Sequence, residues 1–339
     1  MESLFLATAP PLDPEWLAYE SAAGLNNKPK KSPSTSPLDR QHVYADDCRA
    51  RTIAALSASP YSRLANAVHS RHFTVPSSVD GFQIPVIEYS PSVSDRPSIA
   101  TPAAVIFYIH GGGLCVGEAD SEELSCRLIA ADAHATVFSV GYRLMPTYSA
   151  QTCLSDCMDA FKRVVAEQVA TQANLLLVGS SSGGELAALV AQQLPSVIQG
   201  VVLRCPVTSD AFSGVDKFVP KNLQHLHTSA TDPSFWNSLL GPMLREVPRD
   251  GLERMPLEAP LDVMQQHPRT WIQLCTNDSL FSDGLCYAKA LEDAGIEVKA
   301  DVVRGWPHTF WLKAPLLPRA LEAERSMLEG LVWVAGPSI

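Results

Sequence analysis

The segment Gly179-Ser180-Ser181-Ser182-Gly183-Gly184 fits the pattern G-x-S-x-G. Small residues around a serine let it sit on a sharp strand-to-helix turn, where the backbone is strained and bulky neighbours would clash. Such a turn lifts the Ser181 hydroxyl above a sheet. It also aims the start of the next helix at any negative charge that develops there. This is the setting of a nucleophile that attacks a carbonyl. A serine nucleophile needs a base, and the base needs an acid to orient it. Asp278 follows the apolar run 271–275 and His308 follows the run 298–303. The order Ser181, Asp278, His308 is one in which a sheet can carry a Ser-Asp-His triad. Asp283 is the rival acid, at an expected helix start where capping would be its ordinary role.

A tetrahedral intermediate also needs donors for its oxyanion. His110-Gly111-Gly112-Gly113 directly follows the apolar run 103–109. Three glycines leave the backbone amides unobstructed, so Gly112 and Gly113, with the Ser182 amide, are the expected donors. His110 reads as a loop anchor rather than a base. There is no Walker lysine and no G-x-G-x-x-G, so the glycine loop does not read as a nucleotide site.

Around these residues, apolar runs alternate with segments of helical spacing. Strands are expected at 71–75, 82–89, 103–109, 136–142, 175–178, 200–204, 270–275 and 298–303. Helices are expected at 121–133, 149–169, 183–193, 283–294 and 316–331. Continuous apolar runs belong to strands covered on both faces, and the alternation predicts an α/β fold with a mostly parallel sheet flanked by helices. Asp13 and Pro14 predict a helix start, 26–37 reads as a polar loop, and a helical pattern resumes over 44–57. The alternation breaks over 208–262. The organisation expected is therefore a catalytic domain over 71–207 and 263–339. The insertion 208–262 would form a small helical cap, with 1–70 as an N-terminal helical segment contributing to it.

The composition is that of a globular protein with a large core. Of 339 residues 46% are hydrophobic, and 26 Lys and Arg stand against 36 Asp and Glu, a net charge of −10. That apolar content can offset the entropy of ordering, and the acidic balance speaks against nucleic-acid binding. No apolar stretch is long enough to span a membrane, and the N-terminus does not read as a secretory signal, so a cytoplasmic location is expected. The eight cysteines form no Cys-x-x-Cys pair and no zinc spacing, so reduced thiols and no metal are expected.

In combination, the HGGG loop, Tyr142-Arg-Leu-Met-Pro146, GxSxGG, Asp278-Ser-Leu-Phe-Ser-Asp-Gly284 and Gly305-Trp-Pro-His308 resemble the hormone-sensitive-lipase-like branch of the α/β-hydrolases. The resemblance runs from about residue 71 to the C-terminus. It implies carboxylic-ester hydrolysis without a cofactor, beneath a helical cap, with Ser181, Asp278 and His308 as triad and the HGGG glycines in the oxyanion hole. The chain departs from the family pattern at Ser180, where an acidic residue is usual, and at Met145, Thr147 and Thr309. The ending around His308 resembles fungal members, some encoded with polyketide pathways, which implies secondary metabolism.

The expected substrate is a small ester or acyl compound. Leu114, Trp16, Phe235, Trp236, Leu239 and Met243 are the candidate pocket residues. The alternatives on the same triad are a polyketide-processing thioesterase or cyclase, or an acyl transferase. A carrier-protein-bound thioester would call for a basic docking patch, and Lys28, Lys30 and Lys31 form the one compact basic cluster. From other classes, a lyase or a ligand-binding receptor could use the same fold. The oligomeric state is not legible in the sequence.

Overall fold

The computed structural model of the chain describes residues 1–25, 36–92, 104–168, 174–211, 219–228, 232 and 247–336. Among these, eight strands form one sheet: β1 (Val68–Pro76), β2 (Gln83–Pro91), β3 (Val105–Ile109), β4 (Thr136–Val140), β5 (Leu175–Ser180), β6 (Gly200–Arg204), β7 (Arg269–Asn277) and β8 (Val298–Pro307). Their order is β1-β2-β4-β3-β5-β6-β7-β8. Only the β1–β2 and β2–β4 pairings are antiparallel.

The alternation of strand side chains builds two cores. Val105, Phe107 and Ile109 of β3 join one apolar cluster, while Ile106 and Tyr108 join the other. Helices α4 (Ala150–Gln168), α5 (Ser182–Gln193) and α6 (Phe281–Asp293) cover the first face. Helices α3 (Glu123–Asp132) and α7 (Pro318–Ala335) cover the second. Because both faces are covered, the central strands carry continuous apolar runs instead of alternating ones.

The two longer N-terminal helices precede the sheet. Helix α1 (Pro14–Ala22) starts as expected, with Pro14 in its first turn and the Asp13 carboxylate accepting from the Glu15 amide. Helix α2 (Pro37–Leu56) begins earlier than the expected residue 44. The proline that reads as a loop residue in sequence is its first helical position, and the Ser36 hydroxyl caps it. Proline tolerates that site because its missing N–H would have no partner there.

Strand β8 also outruns expectation. The strand expected over 298–303 continues through Pro307, past an irregularity in register between Cys275 and Asn277. The Gly305 amide donates to the Thr276 hydroxyl, and its carbonyl accepts from the Asp13 amide. The shifted register sets Asn277 opposite Pro307. The next residues, Asp278 and His308, therefore leave adjacent strands at the same level.

All eight cysteines are free thiols. No described helix is long and apolar enough to cross a membrane. Part of the expected cap insertion, 212–218, 229–231 and 233–246, lies outside the described residues, as do Lys28, Lys30 and Lys31.

Candidate active site

Strand β5 ends at Ser180 and α5 begins at Ser182, so Ser181 stands alone on the turn. Its backbone has φ 54° and ψ −123°. A non-glycine residue held there costs on the order of 1–3 kcal/mol and persists only when its surroundings fix it. They do so here. The Ser181 amide donates to the Arg204 carbonyl at 2.8 Å, and the Ser181 carbonyl accepts from Gly184 and Val207. Gly183 is required by contact, since a Cβ there would stand 2.1 Å from the Ile109 carbonyl oxygen.

The Ser181 Oγ lies 2.9 Å from His308 Nε2. On the other side of the ring, His308 Nδ1 lies 2.7 Å from Asp278 Oδ2. The second carboxylate oxygen of Asp278 accepts from the Leu280 amide at 2.9 Å. All three side chains are buried or nearly so, with Ser181 9% exposed. Burial alone would disfavour the imidazolium. The Asp278 carboxylate outweighs it, with Cys205 adding to the effect, and the His308 pKa is pushed up to about 9. This arrangement can pass a proton from the serine to the imidazole, with the carboxylate stabilising the charge formed.

Asp283 is elsewhere. It lies inside α6, where its carboxylate accepts from the Thr208 and Ser209 amides and the Ser209 hydroxyl, and pairs with His227 at 2.9 Å. It fastens the chain after β6 to the helix.

The glycine loop faces the serine turn. Gly112 has φ 128°, and a Cβ on it would meet the Val116 carbonyl oxygen at 2.0 Å. The loop curls there, with Cys115 and Val116 amides donating back to the Gly112 carbonyl. Among the described residues, no protein acceptor takes the Gly112, Gly113 or Ser182 amides. The Ser182 hydroxyl instead accepts from the Leu114 amide at 3.1 Å, tying the loop to the start of α5. His110 is fully buried and stacks on Tyr142, with ring centroids 4.3 Å apart. Burial lowers its pKa to about 4, so it stays neutral, and its Nδ1 is 2.7 Å from the Gly111 carbonyl oxygen.

The expected pocket residues separate into three groups. Leu114 is buried beside the glycine loop. Trp16 is 1% exposed and packs against Trp306 and Tyr19. Phe235, Trp236, Leu239 and Met243 lie outside the described residues. A cavity of about 620 Å³ lies between α2 and the β1–β2 hairpin, lined by Phe73, Phe82 and Tyr148 among others, and reaches none of the three site side chains.

The N-terminal segment braces the Asp278 and His308 loops. The Asn277 side chain donates to the Pro10 carbonyl at 2.6 Å, and the Tyr19 hydroxyl donates to the Lys313 carbonyl. Lys313 in turn donates to the His308 carbonyl at 2.9 Å.

Sequence reasoning missed Cys205. One ligand atom from each of Cys205, Asp278 and His308 lies within 4.8 Å of the other two. These three could hold a soft divalent metal, but Nδ1 and Oδ2 are already engaged with one another at 2.7 Å. The proton-sharing pair is the better description. A cysteine in an apolar run carries no signal of its own, and only the β6–β7 pairing places it.

A family model described as the alpha/beta hydrolase fold matches residues 106–312. The chain is similar to an ethyl acetate hydrolase of Pseudomonas putida, 31% identical over 261 residues that span 74% of this chain and 79% of the relative. It is similar to a versiconal hemiacetal acetate esterase of Dothistroma septosporum, 28% identical over 250 residues, 69% of this chain and 74% of that protein. Its fold is that of a solved esterase from Pyrobaculum calidifontis, with a TM-score of 0.70 at 21% identity, covering 94% of this chain and 97% of the other.

Proposed function

The chain belongs to the alpha/beta hydrolase fold family, and we propose that within it the protein is a serine esterase that cleaves a small carboxylic ester through an acyl-enzyme. The observation that carries this reading is the unbroken line Ser181–His308–Asp278, with contacts of 2.9 and 2.7 Å. His308 takes the Ser181 proton as the oxygen attacks the ester carbonyl. Asp278 keeps the imidazole in the tautomer that presents Nε2 as acceptor, and stabilises the imidazolium. The Gly112, Gly113 and Ser182 amides receive the oxyanion. His308 then protonates the leaving alcohol, and water repeats the sequence on the acyl-enzyme.

Two relatives named for acetate esters support a short acyl group. In this reading the N-terminal segment and 208–262 cover the site and set the acyl length accepted. Hydrolysis of p-nitrophenyl acetate, butyrate and octanoate tests it. Turnover should be fastest on acetate or butyrate, and failure to hydrolyse all three would overturn the proposal.

A further inference from the structure

Glu122 is a buried carboxylate, 2% exposed, at the residue before α3. It has no place in the proton transfers above. Its Oε1 accepts from the Gly111 amide at 2.8 Å and from the Ser180 hydroxyl, and its Oε2 accepts from the Tyr108 hydroxyl at 2.5 Å. Gly111 belongs to the glycine loop and Ser180 precedes the nucleophile, so one carboxylate oxygen joins the two pieces of backbone between which the oxyanion must form. These pieces are already pressed together. A Cβ on Gly111 would stand 2.9 Å from the Ser180 carbonyl oxygen and 3.1 Å from Ser181 Cβ. A carboxylate oxygen can accept two such donors at once, and its charge strengthens both bonds.

We propose that Glu122 is a positioning residue for acyl transfer, fixing the Gly112 and Gly113 amides relative to Ser181 Oγ through Gly111 and Ser180. The inference rests on the serine-esterase reading. Position 180 is serine in this chain, and the negative charge beside the nucleophile turn comes instead from residue 122. Without that charge, the Gly111 amide and the Ser180 hydroxyl are left buried and unpaired, and each would turn toward whatever acceptor it could find. The loop moves with them. Donors that act on a developing oxyanion lose their effect steeply when displaced by an ångström.

The test compares kcat and KM on p-nitrophenyl acetate for wild type, Glu122→Ala and Glu122→Gln, with fluorophosphonate labelling of Ser181 as a check that the triad is folded. Glu122→Ala should lower kcat by about 10–100-fold with KM changed by no more than about twofold, because the lost interaction is made in the transition state. Glu122→Gln keeps an oxygen for Gly111 and Ser180, and should recover most of the loss. A kcat in Glu122→Ala within about threefold of wild type, or a loss borne by KM alone, would overturn the proposal. If Glu122→Ala does not fold, Ser180→Ala removes one of the two donors without unpairing a charge. It should cost several-fold in kcat, and an unchanged kcat would be contrary. Absence of turnover in wild type would defeat the esterase reading itself. Turnover by wild type and Glu122→Ala alike would defeat only the role of Glu122.

Discussion

The Cys205 thiol lies beside the His308 imidazole, on the terminus of β6 immediately next to the strand that delivers Asp278. Cys205 itself takes a left-handed backbone, φ 46°. Its Sγ lies within 4.8 Å of the facing His308 and Asp278 atoms and, after Asp278, favours the protonated ring. The histidine must be neutral to act as a base. Its pKa is raised above the ordinary 6.5, so activity should be lost as pH falls through the raised value. The acid limb of kcat/KM should therefore lie well above 6.5, toward 9. Cys205→Ala removes a group that favours the charge, so it should move that limb to lower pH while turnover persists at high pH. A wild-type limb at or below 6.5, or one that Cys205→Ala leaves in place, would contradict this account.

Asp278→Asn should have a larger effect. Asparagine can hold the imidazole in the wrong tautomer and cannot stabilise its charge. A loss of roughly four orders of magnitude in kcat is expected, with the fold unchanged. Asp283→Asn should instead loosen the chain after β6, lowering the melting temperature while leaving kcat close to wild type. Equal losses of kcat in the two variants would show that the acid has been misassigned.

Arg204 is wholly buried beneath the site. Its guanidinium pairs with Glu324 of α7 at 3.0 Å, donates to Gln273 at 2.9 Å, and lies 3.8 Å from the centre of the Trp311 ring. A buried pair adds little over an apolar filling, but removing one partner leaves a charge stranded. Glu324→Ala should therefore cost about 3–5 kcal/mol in urea unfolding. A change below about 1 kcal/mol would mean that the pair is not buried as described.

Trp16 tests the bracing of the histidine loop. It is packed edge-on against Trp306, ring centroids 6.1 Å apart, two residues from His308. Trp16→Ala should destabilise the fold by about 3–5 kcal/mol, as truncation of a buried aromatic does. It should also lower kcat more than it changes KM. Normal stability in that variant would place Trp16 on a mobile surface instead.

Which parts were legible from sequence follows from how local their signals are. The run 103–109 and the glycines after it announce a buried strand and an open loop without reference to any other residue. Ser181 is read in the same way from its small neighbours. Asp278 and His308 could be found because each follows a strand, although their 2.7 Å contact depends on a register shift that no local pattern encodes. Cys205 and Glu122 were not legible. A cysteine ending an apolar run and a glutamate before a helix have ordinary explanations, and only strand order and the folding of α3 behind the glycine loop give them neighbours. The early start of α2 was missed because Ser36 and Pro37 serve loops and helix starts equally well.

The most direct test of the central claim is the turnover of p-nitrophenyl acetate by Ser181→Ala beside wild type, with melting temperatures to show that both are folded. Wild type should hydrolyse the ester and take a fluorophosphonate label at Ser181. The variant should melt within a few degrees of wild type, take no label, and lose activity by several orders of magnitude. Retained turnover by a well-folded Ser181→Ala would contradict the account.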